Sequence, residues 1–151
     1  AVPGALSQTG ALMSTPTNRE ILLEAWSTID GRRDETAVDR YFHPDFVRHS
    51  EDSDYTRDEY RALLRALHSA FPDLDGTLSE IVAEGDLVAY RWSSTGTHEG
   101  EYLGVPPTHK RVVATGLTIS RFRDGQIVEE WASWNKVSVL HRLGIIPISP
   151  R

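Results

Sequence analysis

Apolar residues in the first half of the chain recur every three to four positions, the period of an amphipathic helix. A first helix is predicted to begin at Thr17, because Thr17 followed three residues later by Glu20 forms a capping box. Gly31 is its expected end. A second, short helix is predicted over residues 37–42, and residues 46–49 alternate as a short strand.

The acidic stretch Glu51–Glu59 is predicted to be a solvated loop that runs into a third helix. This helix begins with a second capping box, formed by Thr56 and Glu59. Pro72 ends it. Its buried stripe, at helical spacing, consists of Tyr60, Leu63, Leu64, Leu67 and Phe71.

From residue 76 onward the period changes from 3.6 to 2, which predicts antiparallel strands. The Asp124-Gly125 pair between two of them is a strong hairpin signal. The predicted strands are Leu78–Ala83, Leu87–Ser94, Arg111–Arg123 and Gln126–Trp134. A Gly/Pro-rich loop is expected over Thr97–Lys110, and a last amphipathic turn or helix stops at Gly144. Helices first and strands afterwards predict an α+β domain.

Composition narrows the function classes. The chain of 151 residues has 22 acidic and 16 basic residues, a net charge of −6, which argues against nucleic-acid binding. It has no Cys, so disulfides and thiolate chemistry are excluded. No membrane span, signal peptide or nucleotide-binding motif is found, so we predict a cytoplasmic protein without cofactor, metal or membrane partner. One domain over residues 18–151 is expected to follow a flexible arm, residues 1–17, of which the part before Met13 is interpreted as an added extension.

Several segments, in the right order, resemble SnoaL-like polyketide cyclases. The loop Gly96–Thr108 is similar to the family's GTHxGxFxGxPPTGK pattern, and Asp124–Trp131 is similar to its DGKIVEEW hairpin. Leu140–Gly144 resembles the family's closing LxxQLG turn. His43–His49 and Phe71–Leu74 resemble its two N-terminal landmarks.

The resemblance implies a cone-shaped α+β barrel, in which a curved, mainly antiparallel sheet and N-terminal helices enclose an apolar pocket. It also implies homo-oligomers, and a homodimer is expected. Family members close rings on polyketide intermediates by cofactor-free aldol chemistry, with an Asp near the end of the last strand as acid and base. Here Ala132 and Asn135 stand at the two expected aspartates, and neither side chain can act as a base near neutral pH.

Three residues are candidates for the catalytic role. The resemblance places His49 on a strand that points into the pocket, although a structural His at the rim is the alternative. Asn135 matches the family's acid/base position and could anchor a substrate, or it could cap the following helix. Glu129 is the nearest surviving carboxylate if Asn135 points inward and no bulge interrupts the strand; alternatively Glu129 or Glu130 pairs with Arg91 or Arg121.

Tyr90, Trp92, Trp131 and Trp134 form an aromatic set on the predicted strands, suited to a flat substrate or to a core. With Arg121 they are the predicted substrate-binding residues. Sequence leaves open which face of the last hairpin is concave, since a bulge would exchange the faces. His98, Glu99, Glu101 and His109 lack metal-ligand spacing.

The leading hypothesis is a cofactor-independent cyclase of secondary metabolism, such as antibiotic biosynthesis, acting on a hydrophobic polyketide-like intermediate. Ring closure would be of aldol type or pericyclic, of [4+2] type, since near-attack geometry alone can promote the latter. The alternatives are a non-catalytic small-molecule binding protein and an enzyme of the ketosteroid isomerase or epoxide hydrolase type.

Overall fold

The protein is described by a computed structural model over residues 15–147. Most of the predicted N-terminal arm, residues 1–14, lies outside this range, as do residues 148–151. The described residues contain no helix that is long and apolar enough to cross a membrane.

Residues 15–147 contain four α-helices, and the two predicted capping boxes begin the first and the third of them. At Thr17 and at Thr56, the side chain accepts from the backbone of the Glu three residues later, whose carboxylate accepts from the backbone of the Thr. The helices are α1 (Asn18–Trp26), α2 (Val38–Tyr41), α3 (Arg57–Ala70) and α4 (Lys136–Arg142). A π-helical turn, Ser27–Gly31, continues α1, and a 3₁₀ turn, Glu35–Ala37, leads into α2.

The part of the chain that the structure describes has six strands, which form one sheet in the order β2-β1-β6-β5-β4-β3. Neighbouring strands are antiparallel, except that β1 and β6 run parallel. The sheet curls without closing, and the predicted α+β fold with helices over a curved sheet is confirmed. The strands are β1 (Phe42–His49), β2 (Asp54–Thr56), β3 (Asp75–Glu84), β4 (Leu87–Thr97), β5 (Arg111–Arg123) and β6 (Gln126–Trp134).

The N-terminal strands differ from the prediction. β1 begins at Phe42, four residues early, because the strand continues through Pro44 where its pairing with β6 is interrupted. β2 forms inside the stretch predicted to be a loop. Its pairing with β1 depends on contacts across the sheet and leaves little trace in three residues of sequence.

A bulge in β6 decides which side chains of the last hairpin face the helices. Arg121 lies opposite Glu129 and Phe122 lies opposite Ile127, so Val128 is left without a partner. An unpaired residue reverses the alternation beyond it. Ile127 therefore faces inward before the bulge and Glu130 faces inward after it, and both are fully buried.

Candidate functional site

An apolar cavity of about 240 Å³ lies between the inner face of the sheet and the helices. Among the described residues, four charged side chains line it, namely Asp30, Arg48, Glu130 and Lys136. A concave apolar pocket with a few polar groups is the usual form of a small-molecule site. Its apolar walls include Leu22, Ile29, Leu64, Leu67, Phe71 and Val139.

Asp30, Arg48 and Glu130, here called the inner charge cluster, lie on the cavity wall. Arg48 Nη1 donates to Glu130 Oε2 at 2.5 Å, and Ser120 Oγ donates to Glu130 Oε1 at 2.9 Å. The Glu130 side chain is only 2% exposed, and burial raises the pKa of its carboxyl against the opposing effect of Arg48 and Ser120. Arg48 remains charged, so Glu130 serves as its counter-ion.

Asp30 comes from the π-helical turn that follows α1. One additional residue in that turn places Asp30 beside the buried Ile29 on the cavity side, and π-turns are frequent at functional sites. Asp30 is half-buried. It lies within the protein, and its accessible surface faces the cavity. Burial raises the pKa of Asp30 to about 7, and the nearby Arg48 guanidinium opposes this increase. The carboxyl can therefore give and take a proton near neutral pH.

Arg48 presents further N–H donors to the cavity. Glu130 is the one residue, within the described part of the chain, to which its side chain donates. Its guanidinium lies over the ring of Tyr60, 4.9 Å from the ring centroid. Because a guanidinium has five N–H groups, those not bound to Glu130 can stabilise negative charge on a substrate oxygen.

His49 points away from the cavity, so the inward orientation predicted for it is wrong. In a strand, neighbouring side chains alternate, and Arg48 shares the inner face with the buried Phe46. On the outer face, His49 Nδ1 lies 2.9 Å from Asp54 Oδ1, and Nε2 lies 2.8 Å from Glu129 Oε2. These two carboxylates raise the pKa of the imidazole, Glu129 having the larger effect.

Glu129 and Trp131 also lie on this outer face because of the bulge at Val128. Arg121 of β5 lies there too, since its neighbours Ser120 and Phe122 are buried on the inner face. Arg121 Nη1 donates to Glu129 Oε1 at 2.9 Å, which is the cross-strand pair considered as the alternative role of Glu129. The guanidinium lies 5.1 Å from the Trp131 ring centroid, and the His49 ring stacks on Trp131. None of the four lines the cavity.

Asn135 has a third role, different from both that were predicted. It occupies the position before α4, but its side chain makes no capping hydrogen bond to that helix. Instead Oδ1 accepts from the backbone N–H of Thr115 at 2.9 Å, and Nδ2 donates to the carbonyl of Val113 at 3.3 Å. The amide thus extends the pairing of β5 beyond the last residue of β6.

Tyr90, Trp92 and Trp134 do line the cavity. Trp92 Nε1 donates to Thr118 Oγ1 at 3.1 Å, which fixes the indole against β5. Gly116 makes this contact possible, since a Cβ there would lie only 2.5 Å from the Trp92 ring. These three side chains give the cavity wall flat apolar surface.

Three of the four His and Glu residues of the 97–110 loop contact other residues of that loop. His98 is fully buried, and its Nδ1 accepts from the backbone of Thr108 at 3.2 Å. His109 Nδ1 lies 2.9 Å from Glu99 on the surface. Over residues 15–147, no group of three or more ligating side chains is arranged to hold a metal ion.

Sequence reasoning missed the inner charge cluster. The inward orientation of Arg48 could have been predicted, because residues two positions apart in a strand share a face and Phe46 is apolar. Asp30 follows Trp26 at helical spacing, beside the apolar stripe, and that is its only signal. Glu130 carries no signal, since the bulge that turns it inward is not marked by a Gly or Pro in β6.

Comparisons with known proteins agree with this architecture. The family model for SnoaL-like polyketide cyclases matches residues 19–143. The chain belongs to this family. No curated protein sequence matches the chain.

Several solved structures are similar to this chain. AclR from Streptomyces galilaeus, provisionally assigned as a hydroxylase, is 36% identical with a TM-score of 0.79, covering 89% of this chain and 85% of its own. IdmH from Streptomyces antibioticus, provisionally assigned as a polyketide cyclase, is 31% identical with a TM-score of 0.72, covering 85% and 99%. A SnoaL-like protein from Jannaschia sp. CCS1, 22% identical with a TM-score of 0.78 over 89% and 99% of the two chains, shares the fold.

Proposed function

We propose that this protein is a cofactor-independent enzyme of secondary metabolism that closes a ring on an apolar, polyketide-like intermediate by acid–base chemistry. The observation that carries the proposal is that Asp30 and Arg48 line the same apolar cavity. One is a carboxyl that titrates near neutral pH, and the other is a permanently charged donor. An aldol-type closure needs both groups.

The proposed reaction begins with Asp30 in its ionised form. Its carboxylate removes a proton from a carbon next to a substrate carbonyl, and the electron pair of that C–H bond forms an enolate whose oxygen Arg48 stabilises. The enolate carbon then attacks a second carbonyl of the same molecule and forms the ring C–C bond. Asp30 returns the proton to the resulting alkoxide, so that no external reactant is consumed.

Tyr90, Trp92 and Trp134 are proposed to hold the flat body of the substrate. Folding of a flexible chain against rigid walls brings its reacting carbons together and lowers the entropic part of the barrier. Asp30 takes the base role that the residues at Ala132 and Asn135 cannot perform. His49, Glu129, Arg121 and Trp131 have no part in this mechanism.

Hydroxylation is a second candidate, because AclR, at 36% identity, carries a hydroxylase assignment. Pericyclic closure and simple binding are the remaining possibilities. The product separates ring closure from hydroxylation and from simple binding, whereas proton exchange with the solvent separates aldol from pericyclic closure. Aldol closure leaves the atomic composition unchanged or loses one water, hydroxylation adds one oxygen atom, and a binding protein leaves the ligand as it was.

The experiment uses an aromatic molecule that carries a β-keto side chain next to a second ketone, incubated with the protein in D₂O. We expect deuterium to enter the carbon between the two carbonyls of the side chain faster than without protein, together with a ring-closed product in the mass spectrum. Exchange without closure would still support enolisation by Asp30. Ring closure at the same rate in Asp30→Asn as in the wild type, or neither exchange nor closure in the wild type, would contradict the acid–base mechanism.

A homodimer is proposed through the outer face of the sheet. Val113, Leu117 and Ile119 of β5 point outward and are 51%, 61% and 42% exposed, an apolar strip that a second copy would cover. In sedimentation velocity, Leu117→Glu combined with Ile119→Glu is expected to give monomers. Leu23→Glu, at an exposed apolar position of α1, is the control and should leave the dimer intact. A wild-type monomer would contradict the proposal.

A further inference from the structure

Lys136 is the cation of the cavity that lies outside the inner charge cluster. Its side chain is 26% exposed and forms an ion pair with Asp52, whose side chain is more exposed. Leu103, which also lines the cavity, is exposed as well. These exposed groups mark the opening of the cavity. A positive charge therefore lies at the opening, while Arg48, whose side chain is 15% exposed, is more deeply buried with its counter-ion.

Asn135 fixes the position of Lys136. Because its side chain bonds the backbone of β5 at Thr115 and Val113, the chain leaves β6 at a defined point and α4 begins at Lys136. Trp134 and Val139, on either side of it in sequence, line the same cavity. The lysine thus has a built position on the cavity wall.

The ammonium group has donors to spare. Among the residues described, its one hydrogen-bond partner is the surface carboxylate of Asp52, whereas an ammonium has three N–H groups. Tyr55 and Tyr102 line the cavity close enough to Lys136 to contribute to the raised pKa of its ammonium, of which Asp52 is the main cause. A charged donor and two phenol groups therefore line the same cavity, in which Tyr55 is also the cross-strand neighbour of Arg48.

We propose that Lys136, Tyr55 and Tyr102 form a subsite that takes a carboxylate group of the substrate. The inference rests on the proposed function and specifies its substrate class, a flat polyketide-like acid. The charge distribution of the cavity also fixes the orientation. Glu130 is buried with Arg48 and neutralises it, whereas the partner of Lys136 is the exposed carboxylate of Asp52, so a substrate carboxylate is expected beside Lys136 and the apolar body farther inside.

The test uses anthraquinone carboxylate and its methyl ester as a matched pair of probes, with binding followed by quenching of tryptophan fluorescence. The chain has a second lysine, Lys110, which is exposed and does not line the cavity. We expect Lys136→Met to weaken binding of the carboxylate by about tenfold and to leave the ester unchanged, as for loss of a charge-assisted hydrogen bond. Lys110→Met should change neither, and Lys136→Arg should retain the preference.

Asp52→Asn provides a second, opposite test. If Lys136 binds a carboxylate, removal of its competing partner should tighten binding of the acid and not of the ester. If the Lys136–Asp52 pair only maintains the fold, the same change should weaken both probes equally. Equal losses for both probes in Lys136→Met, or no loss at all, would overturn the proposal.

The binding test of the Lys136 subsite is independent of the acid–base mechanism proposed for Asp30. Binding of the probes needs no proton transfer, so Asp30→Asn should retain the acid-over-ester preference. A preserved preference with an unchanged ring-closure rate in Asp30→Asn would contradict the proposed function and leave the subsite standing. If the subsite and the proposed function are both right, Lys136→Met should lose the preference for the acid over the ester. The same variant should close the ring of an esterified substrate at the wild-type rate.

Discussion

Asp30→Asn is expected to slow ring closure by about 100- to 10,000-fold, the range of a lost general base. Asparagine preserves the size and polarity of the side chain but cannot accept a proton near neutral pH. Substrate affinity should change little, because the apolar walls and aromatic side chains remain. The measurement is kcat and KM for closure of the β-keto substrate at a pH above 7.

Two controls accompany this variant. Glu129→Gln removes a carboxylate from the outer face of the same sheet and should retain nearly the wild-type rate. Asp30→Asn itself should be at least as stable as the wild type at pH 8, because an ionised carboxylate in an apolar cavity costs stability that an amide does not. If Glu129→Gln closed the ring slowly and Asp30→Asn closed it at the wild-type rate, the base would lie on the outer face of the sheet and the proposed role of Asp30 would be wrong.

Arg48→Met is expected to lower the free energy of unfolding by about 3–5 kcal/mol, since it leaves Glu130 buried without a counter-ion. The side chain of Glu130 is only 2% exposed, so water cannot replace the lost partner. Denaturation by urea measures the loss. The double variant Arg48→Met with Glu130→Gln should recover most of it, because no unpaired charge then remains.

Arg121→Met is the matched control for this ion pair. Arg121 also pairs with a glutamate of β6, but its side chain is 42% exposed and its partner Glu129 is 30% exposed. Solvent screens such pairs, so the expected loss is below about 1 kcal/mol. Equal losses in the two single variants would show that the burial of Glu130 is not the cause.

Local signals predicted most of the helices and the last two hairpins correctly. The capping boxes at Thr17 and Thr56 are local hydrogen-bond patterns, readable from four residues. The Asp124-Gly125 turn has positive φ at both residues, 52° and 75°, as the hairpin signal predicts. Such features depend on residues that are close together in the chain, so they can be predicted from a single sequence.

The candidate site could not be predicted in the same way, because non-local geometry decides it. The bulge at Val128 exchanges the faces of β6, so that Glu130 and not Glu129 reaches the cavity. The π-helical turn after α1 likewise places Asp30 by adding a residue. Both irregularities depend on packing between distant segments.

The absence of the two expected aspartates nevertheless raised the question of which residue, if any, acts as the base. With Ala132 and Asn135 in their places, the last strand offers no base at its end, and sequence left aldol and pericyclic closure open. In the structure a carboxyl from the opposite wall, Asp30, borders the same cavity. The account therefore depends on whether that carboxyl takes part in the reaction.

The pH dependence of kcat/KM for ring closure tests this claim most directly. The account predicts a rate that falls as the pH decreases through about 7, because protonated Asp30 cannot act as a base. In Glu130→Gln the midpoint should move to lower pH, since the Glu130 charge contributes to the raised pKa of Asp30. A rate that stays constant from about pH 5 to about pH 9 in the wild type would mean that no base is needed and would contradict the account.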